Sequence, residues 1–139
     1  MALTEAIPGI VLAGGQSSRM GQDKSRLHLG GVSLIDRAAR RLRPQVSAVA
    51  VNANGPVLFE KGAELPVFAD LDATRSGPLG GVLAALDHAR RNHPAASHVA
   101  TVPTDSPFFP VDLVARLARL VDTPERIAVA RSESGLHAV

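Results

Sequence analysis

Leu12-Ala-Gly-Gly15, followed by Arg19, Gly21 and Lys24, is the segment of this chain best equipped for chemistry. Gly14 and Gly15 have no side chains, so the backbone there can come close to a ligand and turn its N–H groups toward an anion. Arg19 adds a planar fork suited to bidentate phosphate contact, and Lys24 adds a compact point charge. Together these residues could neutralise a triphosphate. The alternative is a plain strand-to-helix turn carrying two surface cations. Two glycines alone would favour that turn; Arg and Lys in the same loop shift the expectation to phosphate.

Neither common phosphate motif fits. A Walker A loop needs four residues between its glycines and Lys directly after the second. Here five residues separate Gly15 from Gly21, and Gln22-Asp23 precede Lys24. The dinucleotide pattern G-x-G-x-x-G fails too, because Gly14 and Gly15 are adjacent.

Three polar side chains and one glycine-rich segment are also of interest. Asp105 could hold magnesium, which takes one or two carboxylates plus substrate phosphates and water, or could simply cap a turn before Pro107. Asp70 could accept hydrogen bonds from a base or ribose, or could be a solvated strand-end carboxylate. Asn52 could contact a nucleotide, or could merely tolerate a left-handed turn. Gly77, with Pro78 and Gly80-Gly81, frames a helix start with Pro at its first position. The five histidines do not cluster with zinc-ligand spacing and read as structural or surface groups.

These residues need a scaffold that brings them to one edge. Ile10–Leu12, Val49–Val51, Val67–Ala69, Val99–Val102 and Ile127–Ala130 are short, apolar and bounded by turn residues, as buried strands are. Three amphipathic helices lie between them. Leu34, Ile35, Ala38, Ala39 and Leu42 share a face after a Ser33 N-cap, and Pro44 stops that helix. Leu79, Val82, Leu83, Leu86 and Ala89 form a second apolar face, with Asp87, His88, Arg90 and Arg91 opposite. Leu113, Val114, Leu117 and Val121 form a third.

Strand-helix alternation with continuously apolar strands predicts an α/β fold: a three-layer α/β/α arrangement around a mostly parallel, Rossmann-like sheet. Ligands in such sheets bind beyond the carboxyl ends of the strands. That selects the loops 13–25, 52–56, 70–78 and 103–110.

Composition narrows the function. The 139 residues suit a single domain spanning 1–139 with one aliphatic core, since the chain has four Phe and no Trp or Tyr. Zero cysteines exclude disulfides and thiol catalysis. The formal charge is +2, and the basic residues lack interleaved aromatics, so no nucleic-acid groove is expected. No signal-like or membrane-spanning run is visible, which gives the expectation of a cytoplasmic protein without a membrane partner.

The pattern L-A-G-G-x-S-x-R-M-G-x-D-K over residues 12–24 resembles the loop of molybdenum cofactor guanylyltransferases, within the wider nucleotidyltransferase group that includes sugar-nucleotide pyrophosphorylases and cytidylyltransferases. Later segments agree in order and spacing. Asn52 and Asp70 close the second and third strands, Ser76-Gly-Pro-Leu-Gly-Gly81 resembles the Gly-Pro-Leu-Ala-Gly segment beside the guanine, and Thr104-Asp-Ser-Pro107 resembles an Asp-x-Pro segment whose Asp binds magnesium.

The resemblance implies nucleotide contacts from Leu12, Ala13, Gly14, Gly15, Lys24, Asn52, Asp70, Gly77, Pro78 and Leu79. It implies a catalytic role for Arg19, Lys24 and Asp105, with Mg2+ on Asp105. It implies GTP as donor, molybdopterin-bound molybdenum cofactor as acceptor, and molybdoenzymes or other cofactor-biosynthesis proteins as partners. Gly135-Leu-His-Ala-Val139 echoes the family's His-Pro segment with Ala138 in place of Pro. The family's later Asn-x-Asn-Thr-Pro segment is not reached, so a fold truncated at its C-terminus is expected.

The implied reaction is in-line attack by an acceptor phosphate oxygen on the α-phosphorus of GTP, with pyrophosphate leaving. Positioning and charge stabilisation suffice for it. Alternatives are transfer to a sugar phosphate, cytidylyl transfer to the same cofactor, or a non-catalytic nucleotide-binding domain.

Overall fold

The computed structural model describes residues 6–13, 28–29, 32–72, 78–106, 108–133 and 135–137. Its centre is a parallel sheet of four short strands: β1 (Gly9–Leu12), β4 (Val49–Asn52), β5 (Val67–Phe68) and β6 (Ala100–Pro103). Their spatial order is β5-β4-β1-β6. Two small antiparallel pairs accompany it, β2 (His28–Leu29) with β3 (Val32–Ser33) and β7 (Ala130–Ser132) with β8 (Gly135–His137). The helices are α1 (Leu34–Leu42), α2 (Pro78–Asn92) and α3 (Leu113–Ala118), with a 3₁₀ turn at Arg43–Gln45.

The strand order carries the functional logic. The chain moves outward from β1 to β4 to β5, then crosses to the other side of β1 for β6. In sheets with this order, ligands bind beyond the strands' carboxyl ends where the direction reverses.

Helix α1 forms where its sequence dictates. The Ser33 hydroxyl accepts the Asp36 N–H at 3.1 Å and donates to the Asp36 carboxylate at 2.7 Å, closing the first turn. Ile35, Ala38, Ala39 and Leu42 are buried, and Pro44 lies in the 3₁₀ turn that follows. These side chains pack with Val11, Val51 and Val102 of the sheet and Val114 and Ala118 of α3. Full burial of each such aliphatic side chain stabilises the fold by about 1.5–3 kcal/mol. The close approach needs Gly9, where a Cβ would lie 2.8 Å from Leu42 Cδ2.

The opposite face of the sheet carries Ile10 and Ala50 against Ala85 of α2, with Leu12, Phe68 and Val99 at their margin. The two clusters make the three-layer α/β/α arrangement that the strand-helix alternation predicts.

Helix α2 occupies the expected stretch but turns a different face to the sheet. Gly81, Ala84, Ala85 and Ala89 are buried, whereas Leu79, Leu83 and Leu86 are 81%, 56% and 51% exposed. Small residues let the helix axis approach the sheet, and the bulky leucines then flank the contact rather than fill it.

The fifth expected strand, Ile127–Ala130, does not form as a unit. Only Ala130 enters a strand, β7, and Ile127 is 88% exposed. A strand needs a neighbour's hydrogen-bonding edge. Among the described residues β6 pairs with β1 alone, so its outer edge takes no partner there. Helix α3 ends at Ala118, leaving Val121 beyond it.

Candidate nucleotide site

Parallel pairing places Leu12 opposite both Asn52 and Pro103, and Asn52 opposite Phe68. Phe68, Asn52, Leu12 and Pro103 therefore form one transverse row at the carboxyl end of the sheet. Asp70, Asn54, Gly14 and Asp105 each follow that row by two residues in sequence. Register alone brings Leu12 and Pro103, 91 positions apart in sequence, to one rim.

Asn52 is the most constrained of them. It is 1% exposed, beneath the first turns of α2, where a Cβ at Gly81 would come within 2.9 Å of its Oδ1. Its Nδ2 donates to Asp70 Oδ1 at 2.9 Å and to the Phe68 carbonyl at 3.4 Å. Among the described residues its Oδ1 has no hydrogen-bond partner. A buried acceptor without a donor costs about 1–3 kcal/mol, and such costs concentrate at functional sites.

Asp70 also meets a residue that motif reading missed. Asn54 Nδ2 donates to Asp70 Oδ2 at 3.2 Å, and the Asp70 N–H donates to Asn54 Oδ1 at 2.8 Å. In sequence Asn54 reads as a turn residue before Gly55-Pro56. Its partner is sixteen residues away, and only the β4–β5 register reveals it.

Leu12 is half-buried at the end of β1, and the Ala13 N–H donates to the Asn52 carbonyl at 2.8 Å, extending the ladder to the crevice. Pro78 begins α2, and Leu79 projects into solvent. Asp105 is exposed just past β6, after buried Thr104. Gly14, Gly15, Arg19, Lys24 and Gly77 lie outside the described residues.

The loop carrying Asp105 is held from behind. Arg41 Nε donates to the Phe109 carbonyl, and Gln45 Nε2 donates to the Pro110 carbonyl at 3.1 Å. Gln45 Oε1 accepts the Val114 N–H at 3.0 Å at the start of α3. Beyond Asp105 an open, largely apolar groove of about 1150 Å³ runs along the outer edge of β6, bordered by Leu86, Val99, Phe108, Leu117 and Ile127.

The donor set at Asp105 suits magnesium. It offers one hard carboxylate oxygen in the crevice where phosphates are expected, and no group of three or more His, Cys, Asp or Glu that could hold a metal exists among the described residues. A cation that draws its remaining ligands from phosphate and water fits such a site.

Comparison with known proteins agrees with this architecture. The family model for the MobA-like NTP transferase domain matches residues 9–139. The chain belongs to the MobA-like NTP transferase family. It is 48% identical over 130 residues to a molybdenum cofactor guanylyltransferase of Sinorhizobium fredii, covering 94% of this chain and 60% of that protein. A protein of the same name from Rhodopseudomonas palustris is 46% identical, with coverage of 100% and 67%. The chain thus spans about 60% of the length of the first of these relatives.

Two solved structures share the fold of this MobA-like domain. One is a Mycobacterium sp. strain JC1 homologue of a Mycobacterium tuberculosis protein, with TM-score 0.72, 24% identity, and coverage of 96% of this chain and 67% of that one. The other is molybdopterin-guanine dinucleotide biosynthesis protein A of Archaeoglobus fulgidus, with TM-score 0.56, 23% identity, and coverage of 80% and 53%.

Proposed function

We propose that this chain supplies the GTP-binding part of a molybdenum cofactor guanylyltransferase, which moves GMP from GTP to molybdopterin-bound cofactor and releases pyrophosphate. The observation carrying this reading is the hydrogen bond from buried Asn52 to half-buried Asp70 at the carboxyl end of the sheet, in a chain 48% identical to a protein of that name.

Each residue then has a task. The backbone at Gly14 and Gly15 cradles the triphosphate, and Arg19 and Lys24 neutralise the charge that builds on it during in-line attack by an acceptor phosphate oxygen. Asn52 and Asp70 hold the nucleoside end, flanked by Leu12, Ala13 and the Gly77-Pro78-Leu79 entry to α2. Asp105 would hold Mg2+, and the ion would supply charge neutralisation for the departing pyrophosphate. The crevice fixes the two reactants in line, which replaces acid-base chemistry as the main source of rate. On this reading the protein works in the cytoplasm, beside molybdoenzymes and the other cofactor-biosynthesis proteins.

A thermal-shift titration with GTP, CTP, UTP and ATP, with and without magnesium, tests the reading. GTP at a hundred times its dissociation constant adds about 2.7 kcal/mol to stability. A magnesium-dependent shift with GTP alone is expected. Preference for CTP would move the reading to cytidylyl transfer, and no shift with any nucleotide would overturn it.

A further inference from the structure

Asp70 is gripped at three points by the chain that leaves β4. Asn52 Nδ2 reaches one carboxylate oxygen, Asn54 Nδ2 reaches the other, and Asn54 Oδ1 takes the Asp70 N–H. The Asn54 carboxamide thus bonds both the main chain and the side chain of one residue, a cyclic contact that fixes the carboxylate plane. A carboxylate offers about four lone-pair sites. One amide on each oxygen leaves acceptor capacity on both for the donors of a ligand.

From this geometry we propose that Asn54 is a positioning residue for the Asp70 carboxylate, and through it for the nucleoside end of a bound nucleotide. The proposal rests on the nucleotide reading above and adds to it a residue outside every motif of the sequence. Asn52 is buried and cannot move once α2 is in place. Asn54 is exposed, so it contributes little to the core and acts through Asp70.

The test is calorimetric titration of the chain with magnesium-GTP and, separately, magnesium tripolyphosphate, which carries the phosphates without a nucleoside. Asn54→Ala should weaken GTP about ten-fold and leave tripolyphosphate within about two-fold. Asn54→Asp keeps the acceptor for the Asp70 N–H but replaces the donor with a like charge, so it should weaken GTP at least as much. In an Asp70→Asn background, Asn54→Ala should add little, because the two act as one unit.

GTP affinity unchanged in Asn54→Ala would overturn the proposal. So would a parallel loss of both affinities, which would mark a general effect on the fold. If the unaltered chain binds tripolyphosphate but not GTP, the nucleotide reading fails and this proposal falls with it. That pattern is distinct from an unaltered chain that binds GTP and an Asn54→Ala variant that binds it equally well.

Discussion

His88 illustrates how a single side chain records its surroundings. Its ring stacks on Phe68 of β5 with centroids 4.3 Å apart, and His93 lies 6.3 Å away. Burial holds its pKa below the ordinary 6.5, the neighbouring His93 lowers it further, and Asp87 opposes both. Asn92 Nδ2 also lies 3.3 Å from His88 Nδ1, a contact that needs that nitrogen unprotonated. The folded state therefore favours the neutral ring over the charged one. Its contribution is complete above the unfolded value of 6.5 and is lost as pH falls through the lower folded value. Thermal melts at about pH 7.5 and about pH 5.5 should show a smaller acid loss in His88→Phe than in the unaltered protein. Equal losses would remove His88 from the pH dependence. The sequence reads His88 as a structural or surface group, while its stacking partner depends on the β5–α2 packing.

At the scale of elements, α3 depends on a residue it does not contain. Asp112 at its N-cap makes no capping bond and pairs with Arg116 at 2.8 Å instead. Gln45, at the end of the 3₁₀ turn after α1, supplies the missing acceptor to the Val114 N–H. Gln45→Ala should cost about 1–3 kcal/mol in urea unfolding, because a buried N–H and the Pro110 carbonyl both lose their partner. Gln45→Glu, which keeps an acceptor, should cost less; equal costs would place the effect in packing. Helix α1 was fully legible, since its cap, its apolar spacing and its Pro stop are all local. Helix α2 was legible in extent but not in orientation. Periodicity cannot rank a leucine stripe against a stripe of Gly and Ala when close approach to a sheet decides. Ile127–Ala130 has strand composition, yet pairing depends on an edge that no window of sequence contains. That Asn52, Asp70 and Asp105 lie at or just beyond strand ends was legible from the sequence, while the contact of Asn54 with Asp70 was hidden behind ordinary turn chemistry.

At the scale of the molecule, burial is concentrated where α1 and α3 meet the sheet. Leu42 is fully buried in that layer, whereas Ile127 and Leu120 are 88% and 66% exposed on the β6 side. Leu42→Ala should lose about 2–5 kcal/mol, and Ile127→Ala should stay within about 0.5 kcal/mol. Comparable losses in denaturant titrations would mean that Ile127 is covered in solution. Among the described residues no helix is long and apolar enough to cross a membrane.

The transverse row of Phe68, Asn52, Leu12 and Pro103 also governs which changes in chain length the gene can tolerate. Side chains alternate between faces along a strand, so deleting one codon within Val49–Asn52 would put Ala53 into the row and turn Asn52 toward α1. Every polar group beyond would shift with it. The connection between β4 and β5 has no such parity, and each doubling of its length costs only about 0.6 kcal/mol. Natural variation in length should therefore gather between Gly55 and Leu65, while the strands keep an invariant count.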